Sequence, residues 1–233
     1  MCGRYVLRSI DLALSAFNAS LDPGFEEFTE RPRFNIAPSQ DIAVVRINQN
    51  GDRVLGLVRW GLIPHWAKEP PRFQPINARA ETVLTSGMFK QAFLRRRCIV
   101  PADGFYEWKK LDAKTSQTMF IHFPDDRAFG FVGLWERWKP TEDAEPVDTC
   151  TIITTTPNTL IASIHDRMPV ILKPEDYGQW LDRETDPHEA EKLLGPYPMR
   201  VVIPNGQSPN NLALRVYSRL ARDLELFPQR LWA

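Results

Sequence analysis

Cysteine is scarce in this chain: Cys2, Cys98 and Cys150 are the only three in 233 residues. Their number is odd and their spacing fits no metal-ligand pattern, which argues against a disulfide framework and a zinc site. A reducing, intracellular compartment fits such usage. No apolar run approaches the ~20 residues that cross a bilayer, so no membrane partner is expected. The start carries no charged region followed by an apolar stretch, so a signal peptide is not expected either. Net charge is also missing, with 29 basic residues against 29 acidic ones. A global pull on nucleic acid is therefore absent, and any such binding must use a local patch. Repeats, low-complexity tracts and shifts of composition are lacking as well. The economical expectation is one domain over residues 1–233, a monomer without cofactor or metal.

What the chain has in plenty is proline. Its 20 prolines are roughly 9% of the residues, against about 5% on average, and they disfavour long helices. Residues 9–19 read as a helix capped by Ser9, with Ile10, Leu12, Leu14 and Phe17 on its apolar face. Residues 31–40 and 60–75 read as proline-punctuated loops. Strands are expected at 42–47, 54–60, 98–100, 104–108, 118–123, 129–135 and 149–156, with a hairpin turn at 48–52. Residues 81–97 read as a helix in two pieces broken near Gly87. A short helix or turn is expected at 160–164, short helices at 175–181 and 187–194, and an amphipathic helix at 212–226. The fold class that follows is α+β, with a curved, barrel-like mixed or antiparallel β core and peripheral short helices.

The first residues carry the strongest chemical signal. Cysteine at the second position permits removal of the initiator methionine, which would make Cys2 the N-terminus. An N-terminal cysteine is a 1,2-aminothiol: its amine forms an imine with an aldehyde, and its sulfur then closes a thiazolidine. Reference pKa values of roughly 8 for the amine and about 8.5 for the thiol keep both groups usable near neutrality. Three further islands place polar residues in loops or at strand ends, where sites are commonly built. These are residues 76–82 (INARAET), 101–108 (PADGFYEW) and 163–170 (SIHDRMPV). Taken singly, Asn77 reads as a helix cap, His165 as a satisfied core histidine and Arg167 as a carboxylate's partner. Glu107 is less easily dismissed. A strand alternating Phe105, Glu107 and Lys109 with Tyr106 and Trp108 must bury a carboxylate among aromatics, which raises its pKa and suits acid–base work.

Taken together, the islands resemble one family. MCGRY (1–5), FNIAPSQ (34–40), RWGLIPHW (59–66), INARAET (76–82), SGMFK (86–90), CIVPADGFYEW (98–108), TIITTTPN (151–158) and IHDRMPVIL (164–172) follow in order. They are similar to the motifs of the SOS-response-associated peptidase (SRAP) proteins, which sense abasic sites in DNA and crosslink to them. The resemblance implies that the Cys2 amine attacks the aldehyde of an abasic site in single-stranded DNA and that its thiol closes a thiazolidine. It implies that Asn77, Glu107 and His165 complete the catalytic group, with Glu107 taking a proton from the amine and His165 donating one to the sugar ring oxygen. Arg4, Arg79 and Arg167 would grip phosphates, with Trp66, Met88 and Thr154 as further DNA contacts. Release of a residue preceding Cys2, a lyase-like side activity and a cytoplasmic or nuclear location belong to the same implication.

Two departures stand out. Gly87 occupies a position where the family often has arginine, and residues 199–233 match poorly. Two rivals are kept beside this reading. An N-terminal-nucleophile glutaminase also begins Met-Cys-Gly and would release ammonia from glutamine. A noncovalent single-strand binding module would leave no adduct after denaturation.

Overall fold

A computed structural model of the chain describes residues 2–23, 25, 32–198 and 202–204. Its centre is a mixed five-stranded barrel. The strands are β4 (Asp41–Ile47), β5 (Arg53–Trp60), β7 (Arg97–Ala102), β10 (Phe129–Trp138) and β11 (Val147–Thr155). Their order is β11-β10-β7-β4-β5, and β5 closes the ring by pairing parallel with β11 through Arg59↔Thr149 and Trp60↔Cys150. The β4–β5 hairpin turns where residues 48–52 demand it. Asn48 Oδ1 accepts from the backbone N–H groups of Asn50 and Asp52, and Gly51 takes φ +89°. The barrel-like core expected from the strand pattern is present, and the helices around it are short.

A second sheet packs against the barrel. β1 (Tyr5–Leu7) runs antiparallel between β3 (Arg33–Ile36) and β8 (Gly104–Lys110), and β8 continues to β9 (Ser116–His122) and β14 (Val202–Pro204). Strand β3 corrects the expectation of a loop over residues 31–40. Two prolines flank it, but Tyr5↔Ile36 and Leu7↔Arg33 pairing supplies a ladder that local sequence does not announce. The remaining small strands are β2 (Ser20–Leu21), β6 (Asn77–Arg79), β12 (Met168–Pro169) and β13 (Ile171–Leu172).

Helix α1 (Ile10–Phe17) starts where Ser9 Oγ accepts from the Leu12 N–H at 3.2 Å and ends at Asn18 in the left-handed region, φ 47°. Its inner face is Ile10, Ala13 and Phe17; Leu12, assigned to that face by spacing, is exposed. The helix expected over 81–97 shrinks to a 3₁₀ turn (Ala80–Thr82) and α2 (Lys90–Arg95). Arg97 is already β7, and its buried guanidinium explains why. It donates to the carbonyls of Trp180, Phe93 and Asp182, bolting α2 and α3 (Tyr177–Leu181) to the barrel. The last helix, α4, covers Pro187–Glu191, shorter than the 187–194 span expected. The amphipathic helix expected at 212–226 lies outside the described residues.

Close packing of α1 on the barrel depends on Gly130. A Cβ there would meet Ile99 Cγ2 at 2.3 Å and Phe17 Cε1 at 3.0 Å, both fixed core atoms. Gly130→Ala should therefore cost about 1–3 kcal/mol through overpacking. A fall in the urea midpoint with an unchanged slope is the expected reading; an unchanged midpoint would show that the core absorbs the methyl group.

Candidate active site

The start of the chain is drawn into the molecule by Tyr5. Its ring meets Trp60 and Phe131 edge-on, with centroids at 5.6 and 5.9 Å. Strand β1 then fixes the register on β8. Tyr5 pairs with Phe105 and Val6 with Gly104, and the Tyr106 N–H donates to the Arg4 carbonyl at 2.9 Å. Carried one residue further, this register sets Gly3 opposite Glu107. Cys2 is buried in the main core, with no exposed surface.

Glu107 lies on the same face of β8 as Phe105, the face turned to the main core, while Tyr106 on the other face joins a separate small cluster. It is 1% exposed. Burial pushes its carboxyl up to about 7, against the pull of the chain's terminal ammonium and a backbone hydrogen bond from Trp108. The Cys2 thiol is raised well above its ordinary value, first by burial and second by the negative charge of Glu107. The two groups therefore share one electrostatic neighbourhood.

His165 follows the 3₁₀ turn Ile161–Ser163, which delivers it half-buried to the same region. Burial, then the terminal ammonium, lowers its pKa, so the neutral ring prevails near pH 7. Its Nδ1 accepts from the Arg167 N–H at 3.0 Å, which assigns the proton of the neutral ring to Nε2. Asp166 Oδ1 stands 2.9 Å from the same Nδ1, ready to hold it in the protonated state.

Asn77 is not a helix cap. It opens strand β6, which pairs parallel with β11 through Ile152↔Asn77 and Thr154↔Arg79, and the following turn is capped by neither side chain. Asn77 Nδ2 reaches the Ile152 carbonyl at 3.4 Å, while its Oδ1 is buried without a hydrogen-bond partner among the described residues. An acceptor left open at a strand edge is equipped to take an N–H from a bound group.

The cations separate into two kinds. Arg79 is exposed, and its side chain has no hydrogen-bond partner among the described residues. Arg4 donates to Asn35 Oδ1 at 3.1 Å. Arg167 is held on both sides: bidentate on Glu81 at 2.6 and 2.9 Å, and donating to the Thr154 carbonyl at 2.6 Å. Thr154 is buried and donates to the Ala78 carbonyl at 3.2 Å. Glu81, which occupies the Arg167 fork, escaped the sequence reading. The two residues are 86 apart, and only its place beside Arg79 in INARAET hinted at a role. Met88 is half-buried against the core, whereas Trp66 is 58% exposed. Among the described residues no group of three or more His, Cys, Asp or Glu could hold a metal, and no helix is long and apolar enough to cross a membrane.

Comparison with known proteins gives the same motifs a wider setting. "Abasic site processing protein YoqW" of Bacillus subtilis is 47% identical over 200 residues, covering 84% of this chain and 88% of its own. "Abasic site processing protein YedK" of Escherichia coli is 32% identical over 197 residues, covering 83% and 85%. A crystal structure of a Bacteroides thetaiotaomicron protein superposes with a TM-score of 0.79 at 23% identity, covering 90% of this chain and 96% of that one. The model of the "SOS response associated peptidase (SRAP)" family matches residues 1–204, from the buried cysteine at the start through the Glu107 strand and the His165 turn. This chain belongs to the SRAP family.

Proposed function

We propose that the protein recognises abasic sites in single-stranded DNA and forms a covalent thiazolidine with them through Cys2, in the service of DNA-damage handling. The observation that carries this reading is the pairing of a buried Cys2 with a Glu107 whose carboxyl titrates at about 7, at a chain start pinned by β-pairing. The names of the curated relatives, abasic site processing proteins, point the same way.

The chemistry runs in three steps. Protonated His165, its Nδ1–H held by Asp166, gives its Nε2 proton to the ring oxygen of the closed sugar while the anomeric hydroxyl passes its own to solvent water, and the aldehyde opens. The Cys2 amine, freed by removal of Met1 and deprotonated by Glu107, adds to the aldehyde carbon; loss of water leaves the imine. The thiol then adds across the C=N bond. Carbon gains the C–S bond, nitrogen gains the proton, and one water has been released overall. A thiol that burial keeps protonated favours this order, because nitrogen attacks first and sulfur closes the ring. Asn77 Oδ1 is the acceptor that orients the amine. Release of Met1 by the same group, and later reversal of the adduct, are compatible uses of the site.

Arg79 is the cation best placed for a phosphate, with Arg4 as a second, Thr154 holding the strand edge, and Met88 and Trp66 offering apolar contact to bases. Arg167 must share its fork with Glu81. Arg79→Ala should reduce the salt slope of single-strand binding by about 0.7, and Arg167→Ala by less. Glu81→Gln should raise low-salt affinity by releasing the Arg167 fork. Equal slopes in wild type and Arg79→Ala would return Arg79 to a structural role. The reading as a whole is tested by incubating the mature protein with abasic and intact single strands, then denaturing both samples. A heat- and detergent-stable complex on the abasic strand alone is expected; none on either strand would leave only noncovalent binding.

A further inference from the structure

RWGLIPHW supplies an exposed tryptophan, and the fold goes to some length to hold it still. Pro64, His65, Trp66 and Ala67 form a β-turn closed by the Ala67 N–H on the Pro64 carbonyl at 3.0 Å, with Trp66 at its tip. Three polar contacts tie this turn to the barrel wall. The Ile63 N–H donates to Thr149 Oγ1 at 3.0 Å. The Trp138 indole N–H donates to the Ala67 carbonyl at 2.7 Å. His65 Nδ1 stands 3.1 Å from Glu136 Oε2 and 3.3 Å from Oε1. Arg96 Nη2, which can only donate, stands 3.1 Å from the same Nδ1, so the ring's tautomer decides which of the two neighbours it bonds.

Glu136 itself is 1% exposed, an expensive place for a carboxylate unless it is paired. Arg96 Nη2 provides the pairing, 2.8 Å from Oε2 and 3.0 Å from Oε1. The residues flanking Trp66 on both sides are thus anchored to β10, by Glu136 and by Trp138, while the Trp66 side chain makes no such contact and is 58% exposed.

We infer that Glu136 and Trp138 are positioning residues that hold the Trp66 turn in place for stacking on a DNA base. The inference rests on the reading of Trp66 as a DNA contact. An indole fixed before binding gives up less conformational freedom when a base stacks on it, so the clamp raises affinity without touching DNA.

A double-mutant cycle tests this. Affinity is measured for an intact oligothymidine strand, which has no aldehyde and cannot crosslink. Trp66→Ala should weaken binding about 5- to 100-fold. Trp138→Phe, which keeps the ring packed and removes only the donor, should weaken it several-fold, and Glu136→Gln similarly. In a Trp66→Ala background neither should have any further effect. A loss that persists in that background assigns Glu136 and Trp138 to general folding and overturns the clamp. So does an unchanged affinity in Trp138→Phe and Glu136→Gln where Trp66→Ala does weaken binding. If Trp66→Ala is itself silent, the reading of Trp66 falls and the clamp with it.

Discussion

Cys2→Ala is expected to abolish the denaturation-resistant adduct on abasic single strands, whereas Cys98→Ala and Cys150→Ala should retain it. Cys98 and Cys150 are fully buried, and burial pushes both thiols far above their ordinary values. The register puts Cys98 opposite Gly133, where a Cβ would stand 2.9 Å from the Cys98 sulfur, deep in the barrel wall. Cys2→Ser keeps the amine, so borohydride should trap an imine that cannot close its ring with sulfur. The same expectation extends to the methionine before it. With Met1 attached, the Cys2 nitrogen is an amide whose lone pair is delocalised into the peptide bond, and no imine can form. A blocked N-terminal extension should therefore eliminate the adduct, and intact mass should show active material lacking Met1. Full adduct yield from Cys2→Ala, or rapid crosslinking by a homogeneous sample retaining Met1, would overturn the thiazolidine mechanism.

Replacing Glu107 by Gln should slow crosslinking by about 10²-fold or more while leaving noncovalent affinity near its wild-type value. The wild-type rate should climb as pH rises through about 7, because the proposed base is the ionised carboxylate. Glu107→Gln should lose that limb and keep only the one set by the amine, roughly 8. Stability should move the opposite way. A carboxyl whose folded pKa lies above its unfolded value of about 4.3 favours folding while it is protonated. That contribution is complete below the unfolded value and is lost as pH rises to about 7. Relative to wild type, Glu107→Gln should therefore gain melting temperature at pH 8 that it lacks at pH 4. Equal losses of affinity and crosslinking rate would make Glu107 a binding or folding residue instead. A stability difference independent of pH would deny its burial as a charge.

The barrel strands were legible because alternation and β-branched runs are local signals, as in residues 42–47 and 149–156. Glu107 was legible for the same reason, as a carboxylate in an aromatic strand. Strands β3 and β6 were not, because three or four residues close to a proline form strands only when a partner from elsewhere in the chain supplies the ladder. Asn77 was misplaced on that account, read as a cap when it opens a parallel strand. Long-range ion pairs were invisible too: nothing near Arg167 announces Glu81, and nothing in the run Arg95-Arg96-Arg97 separates the Glu136 partner from the buried bolt. Arg95 is left as the exposed cation of the last turn of α2.

The pairing of β1 with β8 sets a clock for biosynthesis. The partner that covers the start of the chain ends at Lys110, so it leaves the ribosome only after about half the protein has been made. At 5–20 residues per second that is roughly 5 to 20 s of translation. During that interval β8 cannot yet cover the start of the chain, whereas in the folded chain Cys2 has no exposed surface. Trimming and folding are therefore competitors in time. On the mechanism proposed above, a chain that folded with its methionine still attached would need the site itself to release it.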